Sequence, residues 1–200
     1  MGFRWLAEHC PGVKLLVKLD DDVILNVFKM VRYIIPLFRG KSREILCNLA
    51  RAGPIVRNSS NVENGGAKWV VDKSDFKGLD RYPFPYCRGF FVFISGDLIV
   101  PLSQAAKVNP EFWIDDVYLY GMLPKTVADV TMTLVWKFVS HDIRYDTLCV
   151  KNRGTRCNSL IFHNSNMNRT DNRHMYDLWA LLKSRVTEWD REQYHLHTSF

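Results

Sequence analysis

The feature that most constrains the fold is an apolar segment that ends in three consecutive aspartates. Val13–Leu19 reads "VKLLVKL", and Asp20, Asp21 and Asp22 follow it directly. A short apolar run that begins after Pro11-Gly12 and ends at charged residues predicts a buried strand. Because ligands of open α/β sheets bind beyond the carboxyl ends of strands, the triplet predicts a ligand site at the end of this strand.

The three like charges need a positive partner, and a divalent cation is the interpretation we favour. Two carboxylates two residues apart on an extended segment point the same way, so Asp20 and Asp22 could reach one ion. Hard oxygen ligands suit Mn²⁺ or Mg²⁺, and such ions bridge phosphate oxygens. The alternative interpretation is a solvated acidic turn, since aspartates favour turns.

The remaining pattern alternates between short apolar runs and helical periodicity, which predicts an α/β fold. The predicted strands are Val13–Leu19, Glu44–Ala50, Lys68–Val71, Phe90–Ile94 and Leu160–Phe162. The predicted helices are Asn26–Ile35, ending at Pro36 with Phe28, Val31 and Ile35 on one face, Gly96–Val108, and about 172–190 with Met175, Leu178, Trp179, Leu182, Val186 and Trp189 on one face.

Length and composition restrict the class of protein. With 200 residues the chain is large enough for a substantial core. The formal charge of +6 is dispersed and no nucleic-acid-binding motif accompanies it, so we expect no nucleic-acid partner. No apolar run approaches the ~18 residues of a membrane span. The five cysteines lack metal-finger spacing, which argues against structural zinc.

Two glycosylation sequons indicate a secretory compartment. They begin at Asn58 and Asn168, and each has serine or threonine two residues later. If the chain lies in an oxidising lumen, we expect Cys149 to pair with Cys157 and Cys10 to pair with Cys47 or Cys87.

One enzyme class uses the aspartates differently. Phosphatases of the haloacid-dehalogenase type follow an apolar strand with D-x-D-x-[TV], in which the first aspartate is the nucleophile. Ile24 occupies the last position of that motif here, and Asp115-Asp116 precedes Lys125 instead of following a catalytic lysine. The order of the motifs therefore disfavours this class.

A second motif set resembles a different family, the inverting β-1,3-galactosyltransferases, which include β-1,3-N-acetylglucosaminyltransferases and Fringe-like relatives. "KLDDDVILN" resembles the family signature K-x-D-D-D-x-x-x-N. The other matching landmarks, in the family's order, are Trp5 with Cys10-Pro11, Lys68-Trp69, "YPFPYCRG" (Tyr82–Gly89), Ser95, "IDDVYLYG" (Ile114–Gly121) and His163.

The resemblance implies a Rossmann-like, nucleotide-sugar-binding mixed sheet of the glycosyltransferase A type, flanked by helices. Residues 1–200 are then part of one catalytic domain, with a core of about 5–170 and a C-terminal helix of about 172–190. We expect the first strands of that sheet and an N-terminal membrane anchor to be absent from this chain. The resemblance implies a full-length type II membrane protein in the Golgi lumen.

The resemblance also implies a reaction, the transfer of a hexose from a UDP-sugar to a hydroxyl of a glycan on a glycoprotein or glycolipid. Asp116 is the expected general base, whose alternative is a plain helix N-terminus. Asp22 and His163 are the expected ligands of Mn²⁺ or Mg²⁺, although a lone histidine is often structural. The other expected binding residues are Asp20, Asp21 and Lys18 on the nucleotide-sugar side, and Trp69, Tyr86, Gly89 and Asp115 in the acceptor pocket.

Several positions depart from the family pattern. Phe91 stands at the family's second glycine and Val92 at the following tyrosine, Asp115 stands where glutamate is usual, Tyr120 displaces a glycine, and Pro124 interrupts the predicted helix. These changes leave open a non-catalytic relative that binds glycans or assists folding.

Overall fold

The protein is described by a computed structural model that covers residues 2–58, 66–135, 138–163, 173–185 and 187. Its strands are β1 (Leu15–Leu19), β2 (Val23–Leu25), β3 (Glu44–Ala50), β4 (Tyr86–Ser95), β5 (Thr131–Leu134), β6 (Val139–Ser140) and β7 (Ile161–His163). Its main helices are α1 (Gly2–His9), α2 (consecutive segments Val27–Lys29, Met30–Ile34 and Ile35–Phe38), α3 (Ile99–Val108), α4 (consecutive segments Asp115–Val117, Tyr118–Met122 and Leu123–Lys125), α5 (Ile143–Arg153) and α6 (Arg173–Ser184).

The chain divides into two compact units, and the first contains the residues up to Lys18 and Ser42–Leu134. Its mixed sheet has the order β1-β4-β3-β5, in which β3 runs antiparallel to β4 and parallel to β5. Apolar residues of β3 and β4 pack with α3 and α4 around fully buried Ile45, Val92 and Leu98. The apolar runs predicted as strands therefore form the centre of this unit.

An aromatic cluster forms a second core in the first unit. Phe76 makes edge-to-face contacts with Tyr82, Phe84 and Phe112, with ring centroids 5.2–5.9 Å apart. Such pairs add to the free energy gained from burying the rings. Ile114 and Val117 pack in the same cluster, so the start of α4 is anchored on both sides of Asp115-Asp116.

The second unit contains Leu19–Lys41 and the residues from Val135 onward. Its sheet has the order β2-β7-β6, with β2 antiparallel and β6 parallel to β7. Helices α5 and α6 bury their apolar faces against Ile24 and Phe162. Mixed sheets flanked by helices confirm the predicted fold class.

Two element predictions need correction. Lys68–Val71 is no strand: Gly66–Trp69 forms a 3₁₀ turn, because a segment with only three apolar residues does not specify one periodicity. Helix α2 continues through Pro36 to Phe38, since Met30–Ile34 is a π turn whose i→i−5 bonds shift the backbone register.

The same π turn changes the buried face of α2. Ile34 is fully buried, whereas Val31, predicted on the packed face, is 47% exposed. Helix α6 confirms the C-terminal prediction over Arg173–Ser184, and Leu178 and Leu182 are fully buried. The predicted continuation through Val186 and Trp189 lies outside the described residues.

The disulfide pairing is partly as predicted. Cys149 pairs with Cys157, with Cα atoms 5.6 Å apart. Cys47 pairs with Cys87 across neighbouring strands β3 and β4, with Cα atoms 5.7 Å apart, and Cys10 is a free thiol. The predicted bond of Cys10 to Cys47 or Cys87 was therefore wrong, because the pairing of β3 with β4 brings those two cysteines together.

Candidate functional site

The three aspartates form a turn between β1 and β2. The amide of Val23 donates to the carbonyl of Asp20 at 3.3 Å, which closes the turn. Asp20 and Asp21 are exposed, whereas Asp22 is half-buried. Asp21 and Asp22 thus lie in a turn instead of the expected extended segment, and the three carboxylates differ in exposure. That Asp20 and Asp22 reach one ion stays a prediction.

Strand pairing in the second unit brings Asp22 to His163. Val23 of β2 is opposite His163 of β7, so the residue before β2 lies beside the end of β7. Asp22 Oδ2 is 3.8 Å from His163 Nε2, and the two side chains are 25% and 18% exposed. That distance exceeds a hydrogen bond. These two expected metal ligands are thus adjacent in space although 141 positions separate them in sequence.

Burial lowers the pKa of His163, and the nearby charges of Asp22 and Asp20 oppose that effect. Desolvation disfavours the imidazolium, so the ring is neutral at neutral pH. A neutral imidazole has a lone pair available for a metal ion. The site therefore presents a carboxylate and an uncharged nitrogen.

The same pair passes a simple test for metal binding. Asp22 Oδ1 is buried and accepts no hydrogen bond from any described residue, an arrangement that costs free energy unless a ligand compensates it. Oxygen and imidazole ligands suit Mn²⁺ or Mg²⁺. Within the part of the chain that the structure describes, no three histidine, cysteine or acidic residues form a metal cluster. Asp22 and His163 are thus chemically suitable ligands for such an ion.

A second cluster lies in the first unit, around Gly89. The pairing of β3 with β4 advances one residue in β3, from Cys47 to Asn48, while it advances four in β4, from Val92 to Arg88. The intervening residues of β4, Gly89 among them, therefore form a bulge with no partner in β3. Bulges of this kind re-aim backbone and side-chain groups beside active sites.

Backbone groups of Gly89 in the bulge form hydrogen bonds with two expected site residues. Gly89 N donates to Asp116 Oδ2 at 2.8 Å, and Lys18 Nζ donates to the carbonyl of Gly89. A Cβ on residue 89 would lie 2.7 Å from Asp116 Cγ, closer than real Cβ contacts. Only glycine therefore permits this approach, and the arrangement fixes the orientation of the Asp116 carboxylate.

Asp115 and Asp116 stand in the first turn of α4, where negative charge is favourable. Asp115 is exposed, whereas Asp116 is half-buried and tied to Gly89. Tyr86 is near enough for the charge of Asp116 to raise its pKa, although burial is the larger cause of the upward shift. Lys18, Gly89, Tyr86 and Asp116 are thus brought together, while Asp115 points to solvent.

Two tryptophans lie side by side in the same unit. The rings of Trp69 and Trp113 stack with centroids 6.1 Å apart and an interplanar angle of 17°, and both are exposed. The ammonium of Lys68 lies 4.7 Å from the centre of the Trp69 ring. Trp113 was not among the predicted site residues, although its position two residues before Asp115 was a usable signal.

His141 is the other residue that sequence reasoning missed. Its Nδ1 lies 3.1 Å from His163 Nδ1. The signal is tertiary: β6 is parallel to β7 with Ser140 opposite Phe162, so His141, the residue after β6, lies beside His163 of β7. Spacing along the chain gives no hint of this contact.

The remaining predicted positions are buried in the core, exposed at the surface, or outside the described residues. Phe91 and Val92 are fully buried, so these two departures from the family pattern lie in the core of the first unit. Asn58 is exposed, as a glycosylation acceptor must be, and Asn168 lies outside the described residues. Among the described helices, none has the length and apolarity to cross a membrane.

Comparison with known proteins tests whether the sequence motifs identify the family. A family model described as "Galactosyltransferase" matches residues 1–132. The chain is 28% identical over 123 residues to the UDP-GalNAc:beta-1,3-N-acetylgalactosaminyltransferase 1 of Rattus norvegicus, covering 60% of this chain and 33% of that protein. It is 29% identical over 119 residues to the beta-1,3-galactosyltransferase 5 of Homo sapiens, covering 60% and 36%.

A third relative is the acetylgalactosaminyl-O-glycosyl-glycoprotein beta-1,3-N-acetylglucosaminyltransferase of Mus musculus, 33% identical over 115 residues, which cover 58% of this chain and 27% of that protein. The chain thus spans about a third of the length of these curated relatives. The family match includes the acidic triplet, Gly89 and Asp116, and it ends before His141 and His163. Since the match covers well over half of its residues, the chain belongs to the galactosyltransferase family.

Proposed function

We propose that this chain is part of a metal-dependent hexosyltransferase. It transfers galactose or an N-acetylhexosamine from a UDP-sugar to a hydroxyl of a glycan, with inversion and formation of a β-1,3 linkage. The observation that carries the proposal is the buried carboxylate oxygen of Asp22, without a hydrogen-bond partner among the described residues and beside the neutral imidazole of His163. The names of the three relatives above, all β-1,3-glycosyltransferases, support the reaction class.

The donor side of the proposal rests on the acidic turn. Asp22 and His163 would hold Mn²⁺ or Mg²⁺, and the bound ion would supply positive charge for the diphosphate leaving group. Asp20 and Asp21 are exposed in the same turn and contact the nucleotide sugar. Lys18 contributes positive charge on the nucleotide-sugar side, and its bond to the Gly89 carbonyl holds its ammonium in place.

Asp116 supplies the base. Its carboxylate takes the proton of the acceptor hydroxyl, whose oxygen then bonds to the anomeric carbon of the donor. The bond from that carbon to the diphosphate oxygen breaks in the same displacement, which inverts the configuration. The hydrogen bond from Gly89 N occupies Oδ2 and orients the carboxylate for this proton transfer.

The acceptor is a glycan on a glycoprotein or glycolipid. Asp115 is next to Asp116 in sequence, and Gly89 and Tyr86 lie close to it in space. The exposed rings of Trp69 and Trp113 offer apolar surfaces on which a sugar ring can pack.

The cellular setting follows from the same chemistry. Disulfides form and persist in oxidising compartments, and the chain has two of them together with an exposed sequon asparagine, Asn58. We propose that the protein is a type II membrane protein that acts in the Golgi lumen.

The test is a donor-binding measurement on the full chain with and without Mn²⁺. UDP should bind more tightly with Mn²⁺, and Asp22→Asn should abolish that dependence while circular dichroism stays unchanged. Transfer is then screened with UDP-galactose, UDP-GalNAc and UDP-GlcNAc. Equal UDP affinity with and without Mn²⁺ would contradict the metal site. Glycan binding without transfer from any of the three donors would favour a non-catalytic relative.

A further inference from the structure

One arginine side chain binds a segment of the first unit that has no regular secondary structure. Residues 71–80 contain no helix or strand. Arg57 is half-buried, and its two terminal nitrogens donate to four backbone carbonyls of this segment. Nη1 donates to Val71, at 3.4 Å, and to Asp72, and Nη2 donates to Phe76, at 3.0 Å, and to Leu79, at 3.2 Å. The guanidinium therefore joins both ends of the segment.

The geometry of this contact is specific to arginine. A guanidinium has five N–H donors in one rigid plane, so its two terminal nitrogens can bind carbonyls on different sides. The ammonium of lysine has the same charge, but its three N–H bonds diverge from one atom. The variant Arg57→Lys would therefore keep the charge and bind at most one end of the segment.

The first two carbonyls lie just after the turn that carries Trp69. Val71 follows Trp69 by two positions and is 1% exposed. The amide of Val71 also donates to the carbonyl of Val56, at 2.8 Å, so backbone and side-chain bonds hold it beside residues 56–57. Because only one residue separates this fixed point from Trp69, the position of the exposed indole is restricted.

The other end of the segment leads to Trp113. Nη2 of Arg57 holds the backbone of Phe76, whose ring meets that of Phe112 edge to face with centroids 5.3 Å apart. Phe112 directly precedes Trp113, and the centroids of these two rings are 6.3 Å apart. Aromatic rings at such distances contact each other. The position of the Phe76 backbone therefore affects Trp113 through two packed rings.

We infer that Arg57 is a positioning residue for the acceptor platform, the exposed ring pair of Trp69 and Trp113. By binding carbonyls on the side of Trp69 and on the side of Phe76, it sets the stacked arrangement of the two indoles, whose centroids are 6.1 Å apart. The inference rests on the proposed acceptor function of these rings. Without the guanidinium, the four carbonyls are free to turn to water, and the two indoles lose their common orientation.

The first test uses the full chain without any ligand. Two stacked indoles couple their electronic transitions and give an exciton couplet in far-ultraviolet circular dichroism, which Trp113→Leu should remove. Arg57→Gln should remove most of the couplet, and so should Arg57→Lys, because charge alone does not span the segment. Arg81→Gln is the matched control and should keep the couplet, since the Arg81 side chain donates to the carbonyl of Ala52, at 2.7 Å, outside this segment. A couplet that survives Trp113→Leu, or that is unchanged in Arg57→Gln, would overturn the inference.

A sugar titration separates this inference from the proposed function. The probe is methyl β-galactoside, whose pyranose ring can pack on an indole, and tryptophan fluorescence reports its binding. Arg57→Gln should weaken this binding by about 2–10-fold, the range expected for one aromatic contact, while the affinity for UDP with Mn²⁺ stays unchanged. Equal losses of UDP and galactoside affinity would indicate a general structural defect and overturn the inference. If the unmutated protein binds no galactoside and Arg57→Gln still loses the couplet, the acceptor function of the rings alone is contradicted.

A last measurement covers variants that do not fold. In the unmutated protein both Nη groups of Arg57 are hydrogen-bonded, so rotation of the guanidinium about its C–N bonds should be slow. Nitrogen-15 NMR should therefore resolve separate signals for the two Nη groups of Arg57. One averaged Nη signal would overturn the inference, whatever the variants do.

Discussion

The two candidate clusters differ in what surrounds their carboxylates. In the first unit, Asp116 accepts a hydrogen bond from the backbone of Gly89 at 2.8 Å. In the second unit, Asp22 has one buried oxygen without a partner among the described residues and the other 3.8 Å from an imidazole. A carboxylate that accepts a backbone hydrogen bond is oriented for proton transfer. A carboxylate whose lone pairs are not used in hydrogen bonds can bind a cation.

The units also differ in how their disulfides constrain the chain. Cys47–Cys87 joins two central strands of the first unit across 40 positions, and both residues are fully buried. Cys149–Cys157 joins α5 to the chain just after it, across eight positions. A crosslink that closes a longer loop removes more entropy from the unfolded chain, so the two bonds should contribute unequally to stability.

Asp116→Asn gives the largest expected effect and tests whether the two clusters have separate roles, proton transfer for Asp116 and cation binding for Asp22. The variant preserves size and removes basicity, so transfer should fall by about 10²–10⁴-fold while affinities for Mn²⁺ and UDP stay near normal. Steady-state transfer kinetics and UDP titration measure the two quantities. Asp129→Asn, an exposed site whose φ of 56° suits asparagine, is the control. An unchanged transfer rate in Asp116→Asn shows that Asp116 is not the base.

Removal of the disulfides tests the second contrast. With loop lengths of 40 and 8 positions, the Cys47→Ala/Cys87→Ala double variant should lose about 4 kcal/mol and the Cys149→Ala/Cys157→Ala variant about 2.5 kcal/mol in free energy of unfolding. Urea unfolding monitored by circular dichroism measures both losses. A larger loss for the second variant would contradict the loop-length argument.

Gly89→Ala tests whether the bulge holds Asp116. The added Cβ would lie 2.7 Å from Asp116 Cγ, so the carboxylate must move, and a displacement of about 1 Å can cost about 10²-fold in rate. Transfer should fall by that order while Mn²⁺-dependent UDP binding persists. Gly12→Ala is the matched control, because a Cβ there meets no atom within 4 Å. Full activity in Gly89→Ala would show that the position of Asp116 is unimportant.

Asp146→Asn gives the smallest expected effect and concerns the second unit alone. Burial raises the pKa of Asp146, while hydrogen bonds from the Ser140 and Ser159 hydroxyls oppose the shift. A raised folded-state pKa contributes stability below the ordinary value near 3.8 that is lost as pH rises through the folded-state value. From pH 4 to 7 the variant should therefore gain stability relative to the unmutated protein. Urea unfolding across that range measures the trend, with exposed Asp177→Asn as control.

Local sequence was sufficient wherever neighbouring residues decide the structure. Strand Glu44–Ala50 was predicted to the residue, and the apolar runs of β1 and β4 were recognised, since an apolar run between polar segments specifies a buried strand. The motif order likewise identified the galactosyltransferase family. The roles of Asp22, His163 and Asp116 stay predictions.

Local sequence failed where the backbone departs from one periodicity. The run at Lys68–Val71 was too short to distinguish a strand from a 3₁₀ turn. Pro36 was expected to end the helix, because proline has no N–H for the i→i−4 bond. The π turn before it has a different hydrogen-bond register, and the helix continues through Pro36. In both cases a few residues were compatible with more than one backbone geometry.

The sequence by itself determined the family and the positions of β1, β3, β4 and β7 among the seven described strands, because these depend on local patterns or on the order of motifs. Only the tertiary structure decided the Cys47–Cys87 bond, the contact of Gly89 with Asp116, and the alignment of His141 with His163. Each of these contacts joins residues at least 22 positions apart. Strand register and a bulge determine which side chains meet, and no local pattern encodes that register.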